Sequence, residues 1–290
     1  MSFITKRIKD YTGKKALVDG IPFTLPVEAI HSPALMAIFP CDFQQAQRFL
    51  PQGIHPLRLW KKALLVVTVI DYRETTIGKY VEYSIALACT YGEKPAPRLL
   101  PALLPSVYKT GQYVIDLPVS SEISVKGGKG IWGMPKHQAS LDFKVTEDKA
   151  SSQYDLDGKL VTYVEIALPK KVWFPVKVKA SNYCSFRGML MRSDIFLNNK
   201  AGFNLFSKAK ARFVIGDHPR LQALKKLDIQ DCMAAVYLPS IHGILDDHIE
   251  SWFLTHEALP EVTPEGLESV VDLSLSEQWL AAPNAEVPNE

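Results

Sequence analysis

The feature that most constrains this chain is a succession of segments rich in β-branched and aromatic residues across its middle. Residues 63–73 (ALLVVTVIDYR) and 79–92 (KYVEYSIALACTYG) are separated by the short segment ETTIG, which resembles a hairpin loop. Similar segments follow at 112–122, 139–148, 159–169, 210–219 and 233–245. Such side chains favour strands, and the Asp157-Gly158 step favours a tight hairpin turn. The pattern predicts many antiparallel strands joined by short loops.

Helical signals are fewer. Residues 42–51 place Asp42 before apolar residues at helical spacing and end at a proline, which predicts a short capped helix. Residues 218–229 carry Leu221, Leu224 and Leu227 at three-residue intervals, and we expect a second helix there. No linker divides the chain, so we predict a single α+β domain over 1–290, predominantly antiparallel β, that forms a closed or nearly closed barrel. Its core is expected at about 25–258, with a frayed polar tail at 281–290.

Charge and composition exclude several classes of function. The 290 residues include 33 basic and 31 acidic side chains, a net charge of +2, which gives no electrostatic reason to expect nucleic acid as a partner. No apolar run approaches the roughly 20 residues that a membrane span needs, and the N-terminus lacks the apolar core of a secretory signal. The four cysteines are scattered without a CxxC pair. We therefore expect reduced, mostly buried thiols in a cytoplasmic protein.

The segment GKGIWGMPKHQ at 128–138 holds the main candidate for chemistry, Lys136. Pro135 restricts Met134 to extended geometry and thereby sets the direction in which Lys136 leaves the chain. We expect the three glycines of this segment to form a tight bend, and its apolar residues to form a pocket. A pocket of this kind disfavours the charged form of an amine and makes it nucleophilic. On local composition alone, a surface lysine in a turn is the commoner case.

A family resemblance decides between these two interpretations. It rests on residues 113–143, YVIDLPVSSEISVKGGKGIWGMPKHQASLDF, which resemble the acetoacetate decarboxylase superfamily. The shared features are an LPV turn, the acidic Glu122, Gly128 and a W-G-x-P-K motif that ends in Lys136. Weaker similarity extends to 32–51, 77–87 and 210–229. The resemblance implies a closed or cone-shaped barrel of the acetoacetate decarboxylase-like type with short flanking helices.

The resemblance also implies roles for individual residues. Lys136 corresponds to the lysine that forms a Schiff base with the substrate ketone, and Glu82, in a G-x-Y-x-E segment, to an acid/base or orienting group. Trp132 and Met134 are expected in the apolar wall. Glu122 is either a carboxylate close to the site or a turn or cap residue. Strand alternation places Glu82 opposite the more apolar face of 79–87, facing either solvent or a polar barrel interior.

The departures from the family concern the residues around the substrate. His137 stands where the decarboxylase itself has a second lysine, and Ser32 stands where it has an arginine. A further active-site glutamate falls among 65–68, where this chain has no carboxylate. Ser32 and His137 are therefore candidate substrate-binding residues, and Arg187 or Arg192 could replace the arginine or lie on the surface. We expect no metal, although 242–248 could supply ligands if helical.

These observations predict a cofactor-independent lyase that forms a Schiff base with an oxo acid or ketone. Decarboxylation of a β-keto acid is the preferred reaction. One alternative is an aldolase or dehydratase that uses the same lysine on a 2-oxo acid. Another is a non-catalytic barrel that binds an apolar carbonyl or lipid-like ligand. The expected partners are the small-molecule substrate and further copies of the chain, because members of the family are oligomeric.

Overall fold

The computed structural model describes residues 6–186 and 188–253. Arg187 and the expected tail at 281–290 lie outside the described residues. Strands dominate, and in chain order they are β1 (Lys15–Val18), β2 (Ile21–Thr24), β3 (Val27–Asp42), β4 (Ile54–Pro56), β5 (Lys62–Tyr72), β6 (Glu74–Thr75), β7 (Tyr80–Tyr91), β8 (Gly111–Val119), β9 (Lys136–Gln138), β10 (Ser140–Leu141), β11 (Lys144–Val145), β12 (Lys149–Leu156), β13 (Lys159–Ala167), β14 (Phe174–Phe186), β15 (Met189–Leu205), β16 (Ala211–Ile215) and β17 (Ala234–Phe253). The helices are α1 (Lys6–Tyr11), α2 (Phe43–Arg48), α3 (Leu100–Leu103) and α4 (Glu122–Trp132), with 3₁₀ helices at Phe206–Lys208 and Pro219–Leu227. Within these residues, no helix has the length and apolar character needed to cross a membrane.

Seven strands close into a barrel, which confirms the predicted fold class. They lie in the order β7-β5-β3-β17-β15-β14-β8, and β8 pairs again with β7. All of these neighbours are antiparallel except β8 and β14, which pair in parallel through Gln112 with Asn182 and Tyr113 with Tyr183. The short strand β9 adds to the barrel sheet by pairing in parallel with β8, and this pairing places Lys136 beside Leu117.

Strand alternation gives the barrel two distinct faces. Successive side chains of a strand point to opposite sides of the sheet. On β3, β5 and β7 the outward residues, such as Leu35, Leu65 and Tyr83, are fully buried in the main core. A second sheet of strands β10-β12-β13-β16, with β11 beside β12, supplies the other side of that core through residues such as Tyr154 and Val164. On these three strands the barrel wall is therefore covered outside, while the inward residues of the barrel enclose a cavity.

The predicted helices and hairpin are present, with one difference in type. In α2 the Asp42 carboxylate accepts a hydrogen bond from the Gln45 backbone at 2.8 Å, as expected of an N-cap. The segment 218–229 is a 3₁₀ helix, not an α-helix, over Pro219–Leu227, and its three leucines are buried. The three-residue spacing of those leucines matches the 3.0 residues per turn of a 3₁₀ helix. Asp157 and Gly158 both have positive φ at the turn between β12 and β13, which confirms the predicted hairpin.

The glycine-containing segment before Lys136 is a helix, which corrects the expected tight bend. Ser121 caps α4 by accepting a hydrogen bond from the Ser124 backbone at 3.4 Å, and Gly133 ends the helix in the left-handed region at φ 62°. Only Gly133 therefore acts through backbone conformation. Gly128 acts through its lack of a side chain: a Cβ there would overlap Lys136 Cδ and lie 2.8 Å from Cε. The helix can pass over Lys136 because position 128 is a glycine.

We predict a stability coupling between Gly128 and Lys136. Gly128→Ala should lower the free energy of unfolding by about 1–3 kcal/mol because of overpacking, although alanine gains about 1 kcal/mol of helix propensity over glycine. In a Lys136→Ala background, the same Gly128→Ala substitution should be neutral or stabilising, because the overlapping methylenes are gone. Urea unfolding of the four proteins in this double-mutant cycle measures the coupling. An equal cost in both backgrounds would contradict it.

Candidate active site

The amine of Lys136 lies inside the protein, between three elements. Lys136 begins β9, is 3% exposed and extends beneath α4 past Gly128. Its Nζ is 2.6 Å from Glu82 Oε2 on β7 and donates a hydrogen bond of 3.0 Å to Ser124 Oγ on α4. A buried ammonium is costly unless it is paired and hydrogen-bonded. The structure supplies both requirements within one small cluster.

Two tyrosines complete this cluster. Tyr72 and Tyr80 face each other across β5 and β7 with ring centroids 4.5 Å apart, and Lys136 Nζ lies 5.5 Å from the Tyr80 ring centroid. Both tyrosines lie close to Glu82, and Tyr80 also lies close to Ser124, the two groups that the Lys136 amine contacts. Burial, together with the negative charge of Glu82, holds the pKa of both phenols well above the usual value. Both hydroxyls therefore keep their protons at neutral pH.

A cavity of about 280 Å³ occupies the barrel interior beside this cluster. Every barrel strand contributes to its wall, through Ala34, Met36, Thr68, Ile70, Tyr72, Glu82, Ser84, Gln112, Val114, Leu117, Met134, Val176, Val178, Ala180, Asn182, Ile195, Leu197, Ala201, Phe203, Val236, Leu238 and Ile241, with Met134 just before β9. Glu82 is the single charged residue among them, so the alternation of β7 directs this carboxylate into the barrel interior rather than to solvent. The Lys136 amine contacts the cavity wall at Glu82.

Of the two residues expected in the apolar wall, one lines the cavity. Met134 does so and is buried. Trp132, in contrast, is the last residue of α4 and packs in a cluster with Phe23 and Val27, and its indole Nε1 donates a 2.6 Å hydrogen bond to the Asp246 carbonyl. Trp132 therefore supports the helix over Lys136 and does not contribute to the cavity wall.

Glu122 and Ser32 lie away from the cavity. Glu122 is exposed in the first turn of α4, a position where the helix dipole favours an acid, so its location agrees with the interpretation as a cap-region residue. Ser32 is buried in β3, donates to the Ile30 carbonyl at 3.0 Å and accepts from the Arg73 backbone at 3.3 Å. Its hydroxyl thus satisfies irregular backbone in β3, and Ser32 is not among the residues that line the cavity. Its role in substrate binding stays a prediction.

His137 also lies outside the cavity, because it follows Lys136 on a strand and so points to the opposite face. Its Nε2 is 2.9 Å from the Tyr154 hydroxyl, and its Nδ1 is 3.1 Å from the Arg220 guanidinium. Arg220 in turn donates to Asp116 at 2.8 and 2.9 Å. Burial raises the pKa of Asp116, and Arg220 opposes that rise. This polar cluster connects β9 to the second sheet and to the 3₁₀ helix.

The segment where the family has its further glutamate and the arginine that could replace the family's arginine differ in location. Thr68, at the end of the 65–68 segment, faces the cavity, and its buried Oγ1 has no hydrogen-bond partner among the described residues. Arg192 lies 3.5 Å from Asp194 and 3.6 Å from Glu250 and does not line the cavity. Residues 242–248 belong to β17 rather than a helix, and His242 pairs with Glu28 at 2.8 Å. In the described part of the chain, no three His, Cys, Asp or Glu side chains are grouped as metal ligands.

The sequence interpretation missed Ser124, Tyr72 and Tyr80 as members of the site. Tyr80 carries a usable signal, because it stands in the G-x-Y-x-E segment and shares its strand face with Glu82. Tyr72 is identified only by the register that pairs it with Tyr80. Ser124 is identified only once 122–132 is known to be helical and to cross Lys136.

Comparisons with known proteins agree with this geometry. Residues 10–182 match the family model described as acetoacetate decarboxylase, and no curated protein matches the chain. A solved acetoacetate decarboxylase structure aligns with a TM-score of 0.63 at 14% identity, covering 85% of this chain and 98% of that chain. The enzyme from Legionella pneumophila gives 0.59 at 13% identity, covering 78% and 88%.

A third similar structure is the enduracididine biosynthesis enzyme MppR complexed with pyruvate, with a TM-score of 0.52 at 13% identity, covering 79% of this chain and 90% of that chain. At these identities the structural likeness shows a shared fold. The family match is the stronger finding, because it spans more than half of the chain and includes both Glu82 and Lys136. The chain belongs to the acetoacetate decarboxylase family.

Proposed function

We propose that this protein is an enzyme that forms an imine between Lys136 and a ketone or oxo acid, and that it decarboxylates a β-keto acid. One observation carries the proposal: a lysine amine that is almost fully buried contacts a carboxylate in the wall of a largely apolar cavity. Family membership supports an enzyme that acts on a carbonyl compound. A cytoplasmic location and a homo-oligomeric state stay predictions.

The Lys136–Glu82 pair can supply the nucleophile. Transfer of one proton from the ammonium to the carboxylate, over 2.6 Å, yields a neutral amine and a neutral acid. The amine adds to the substrate carbonyl carbon, and Glu82 returns its proton to the carbonyl oxygen, giving a carbinolamine that is protonated on nitrogen. One of the two nitrogen protons moves to the hydroxyl group, which leaves as water, and the product is a positively charged iminium. Glu82 is in position to act as general base and general acid in these two steps.

The iminium serves as the electron acceptor for the decarboxylation. The bond between the α-carbon and the carboxylate breaks, CO₂ leaves, and the electron pair moves to the nitrogen to give a neutral enamine. A proton from solvent adds to the α-carbon and restores the iminium, and water then releases the ketone and returns Lys136 to its ammonium form. The apolar cavity assists, because it disfavours the localised charge of the bound carboxylate relative to the dispersed charge of the transition state.

The charge of the cavity wall favours this reaction over chemistry that keeps a carboxylate. A β-keto acid loses its carboxylate as CO₂, whereas a 2-oxo acid in an aldol or dehydratase reaction retains it. Among the cavity-lining residues the single charged side chain is the acidic Glu82, and none is Lys, Arg or His. A retained carboxylate would stay buried beside a like charge, and the one cation beside these lining residues, the Lys136 nitrogen, becomes neutral at the enamine stage.

A second candidate is the aldol or dehydratase reaction on a 2-oxo acid. The observation that favours it is the similarity of the fold to MppR, whose structure contains pyruvate. The third possibility, a barrel that binds an apolar carbonyl compound without turnover, predicts ligand binding but no covalent adduct. Reductive trapping distinguishes it from both enzymatic proposals.

We predict that Lys136→Met abolishes imine formation. Incubation of the protein with a β-keto acid and borohydride should yield a reduced adduct on the peptide containing Lys136, as mapped by mass spectrometry. Lys136→Met should give no adduct and no turnover, because methionine fills a similar volume without a nucleophile. The control is Lys144→Met, which changes an exposed lysine and should trap and turn over as the parent does. Trapping at another lysine, or turnover by Lys136→Met, would contradict the proposal.

We predict that Glu82→Gln lowers kcat by about 10²–10⁴-fold, the usual contribution of a general acid–base group. The amide keeps the volume and a hydrogen bond to Lys136 but cannot exchange the proton. Rapid-mixing kinetics should show a slower build-up of the trappable imine. Glu122→Gln is the matched control, since Glu122 is exposed in α4; we expect it to retain the parental kcat. Equal losses in the two variants would rule out a specific proton-transfer role for Glu82.

A further inference from the structure

We infer that the substrate is a β-keto acid with an extended, uncharged apolar tail, longer than the single methyl group that acetoacetate carries beyond its ketone. The tail occupies the barrel interior, with the carbonyl at Lys136. This inference rests on the proposed function and specifies its substrate class.

The cavity wall is divided into a polar side and an apolar side. Four of its six polar residues are on the paired strands β5 and β7, namely Thr68, Tyr72, Glu82 and Ser84, and Glu82 contacts the amine. On β14, β15 and β17, the lining side chains are apolar except Asn182, which accepts a 2.8 Å hydrogen bond from Gln112. Sixteen of the twenty-two lining residues are apolar, far more than a substrate composed only of carbonyl and carboxylate groups requires. The wall therefore matches a ligand with one polar end.

The cavity has a closed end and an open end. Glu82 and Lys136 are 15% and 3% exposed, whereas Val178 on β14 and Phe203 on β15 are 40% and 41% exposed while also lining the cavity. A ligand whose carbonyl reaches the amine therefore extends its other end past β14 and β15 towards solvent. The volume of 280 Å³ holds about nine groups of the size of a water molecule. Acetoacetate has seven non-hydrogen atoms, and placing its reacting carbons against Lys136 leaves the outer apolar wall without contacts.

The test is a chain-length series on the full-length protein. The compounds are acetoacetate, 3-oxohexanoate, 3-oxooctanoate and 3-oxodecanoate, and the measurements are kcat/KM for CO₂ release and borohydride trapping on Lys136. We expect kcat/KM to rise by about 4-fold for each methylene that the cavity buries, the ratio that corresponds to the transfer of one CH₂ from water. The rise should stop once the tail passes Val178 and Phe203.

Variants of the far wall identify where the tail lies. Ala201 is buried, lines the cavity and pairs with Phe174 across β14 and β15. Ala201→Phe should lower the ratio of kcat/KM for 3-oxooctanoate to that for acetoacetate by about 15-fold, equivalent to two methylenes. Ala180→Leu, on β14, provides a second test if Ala201→Phe does not fold. Ala102→Leu, on the exposed side of α3, is the matched control and should leave the ratio unchanged.

The outcomes separate this inference from the proposed function. Adducts on Lys136 with every acid but equal or falling kcat/KM with length would overturn the long-tail substrate and leave the imine proposal standing. Rising kcat/KM that neither far-wall variant alters would also overturn it, because the tail would then lie elsewhere. No adduct with any acid in the series would overturn both. A rise with length that is reduced by the far-wall variant that folds, and not by Ala102→Leu, establishes the inference.

Discussion

The contact between Lys136 and Glu82 is the interaction on which the site depends. An isolated charge of either sign would be costly at this depth, and each group neutralises the other over 2.6 Å. Three separate elements meet at this contact: β9 carries the lysine, β7 carries the carboxylate and α4 covers the lysine side chain. Gly128 makes this possible, because any larger residue would occupy the space of the lysine side chain. Ser124 accepts a hydrogen bond from the lysine amine, and the rings of Tyr72 and Tyr80 pack beside the pair.

The second constraint is that the barrel strands β3, β5 and β7 each contribute to two interiors: the main core on the outer face and the cavity on the inner face. The outward side chains of β3, β5 and β7 form the main core with the second sheet and the 3₁₀ helix. The inward side chains of the same strands enclose the cavity. A substitution in these strands therefore affects stability if the side chain points outward into the core, and the shape of the cavity if it points inward. Lys136 and His137 illustrate this on β9: one side chain joins the cavity cluster, and the other joins Asp116 and Arg220 on the outer side.

Much of the fold could be predicted because it depends on local periodicity. The strands, the Asp42 cap and the Asp157-Gly158 turn all follow from side-chain chemistry within a few residues. The helix at 122–132 was missed because glycine is a poor helix former, and it occurs here for packing reasons that involve Phe23, Val18 and Lys136. Of the candidate site residues, Lys136, Glu82 and Met134 were brought together, whereas Trp132, Glu122, Ser32 and His137 were not. Those four were predicted because they lie near Lys136 in sequence or match a site position of the family. In the structure, the strand or helix that carries each of them directs its side chain away from the cavity.

The sequence alone determines which side chains share a face of each strand, and it identifies one candidate nucleophile, Lys136. The pattern of β7 fixes that Tyr80, Glu82 and Ser84 share a face, and the Pro135 step fixes the local geometry before Lys136. Neither fixes what that face meets, because a period of two is the same for a strand facing solvent and a strand facing a barrel interior. Closure through β8 with β7 and β14, formed by residues far apart in the chain, made that face the cavity wall. Only this closure places a carboxylate from residue 82 against the amine of residue 136.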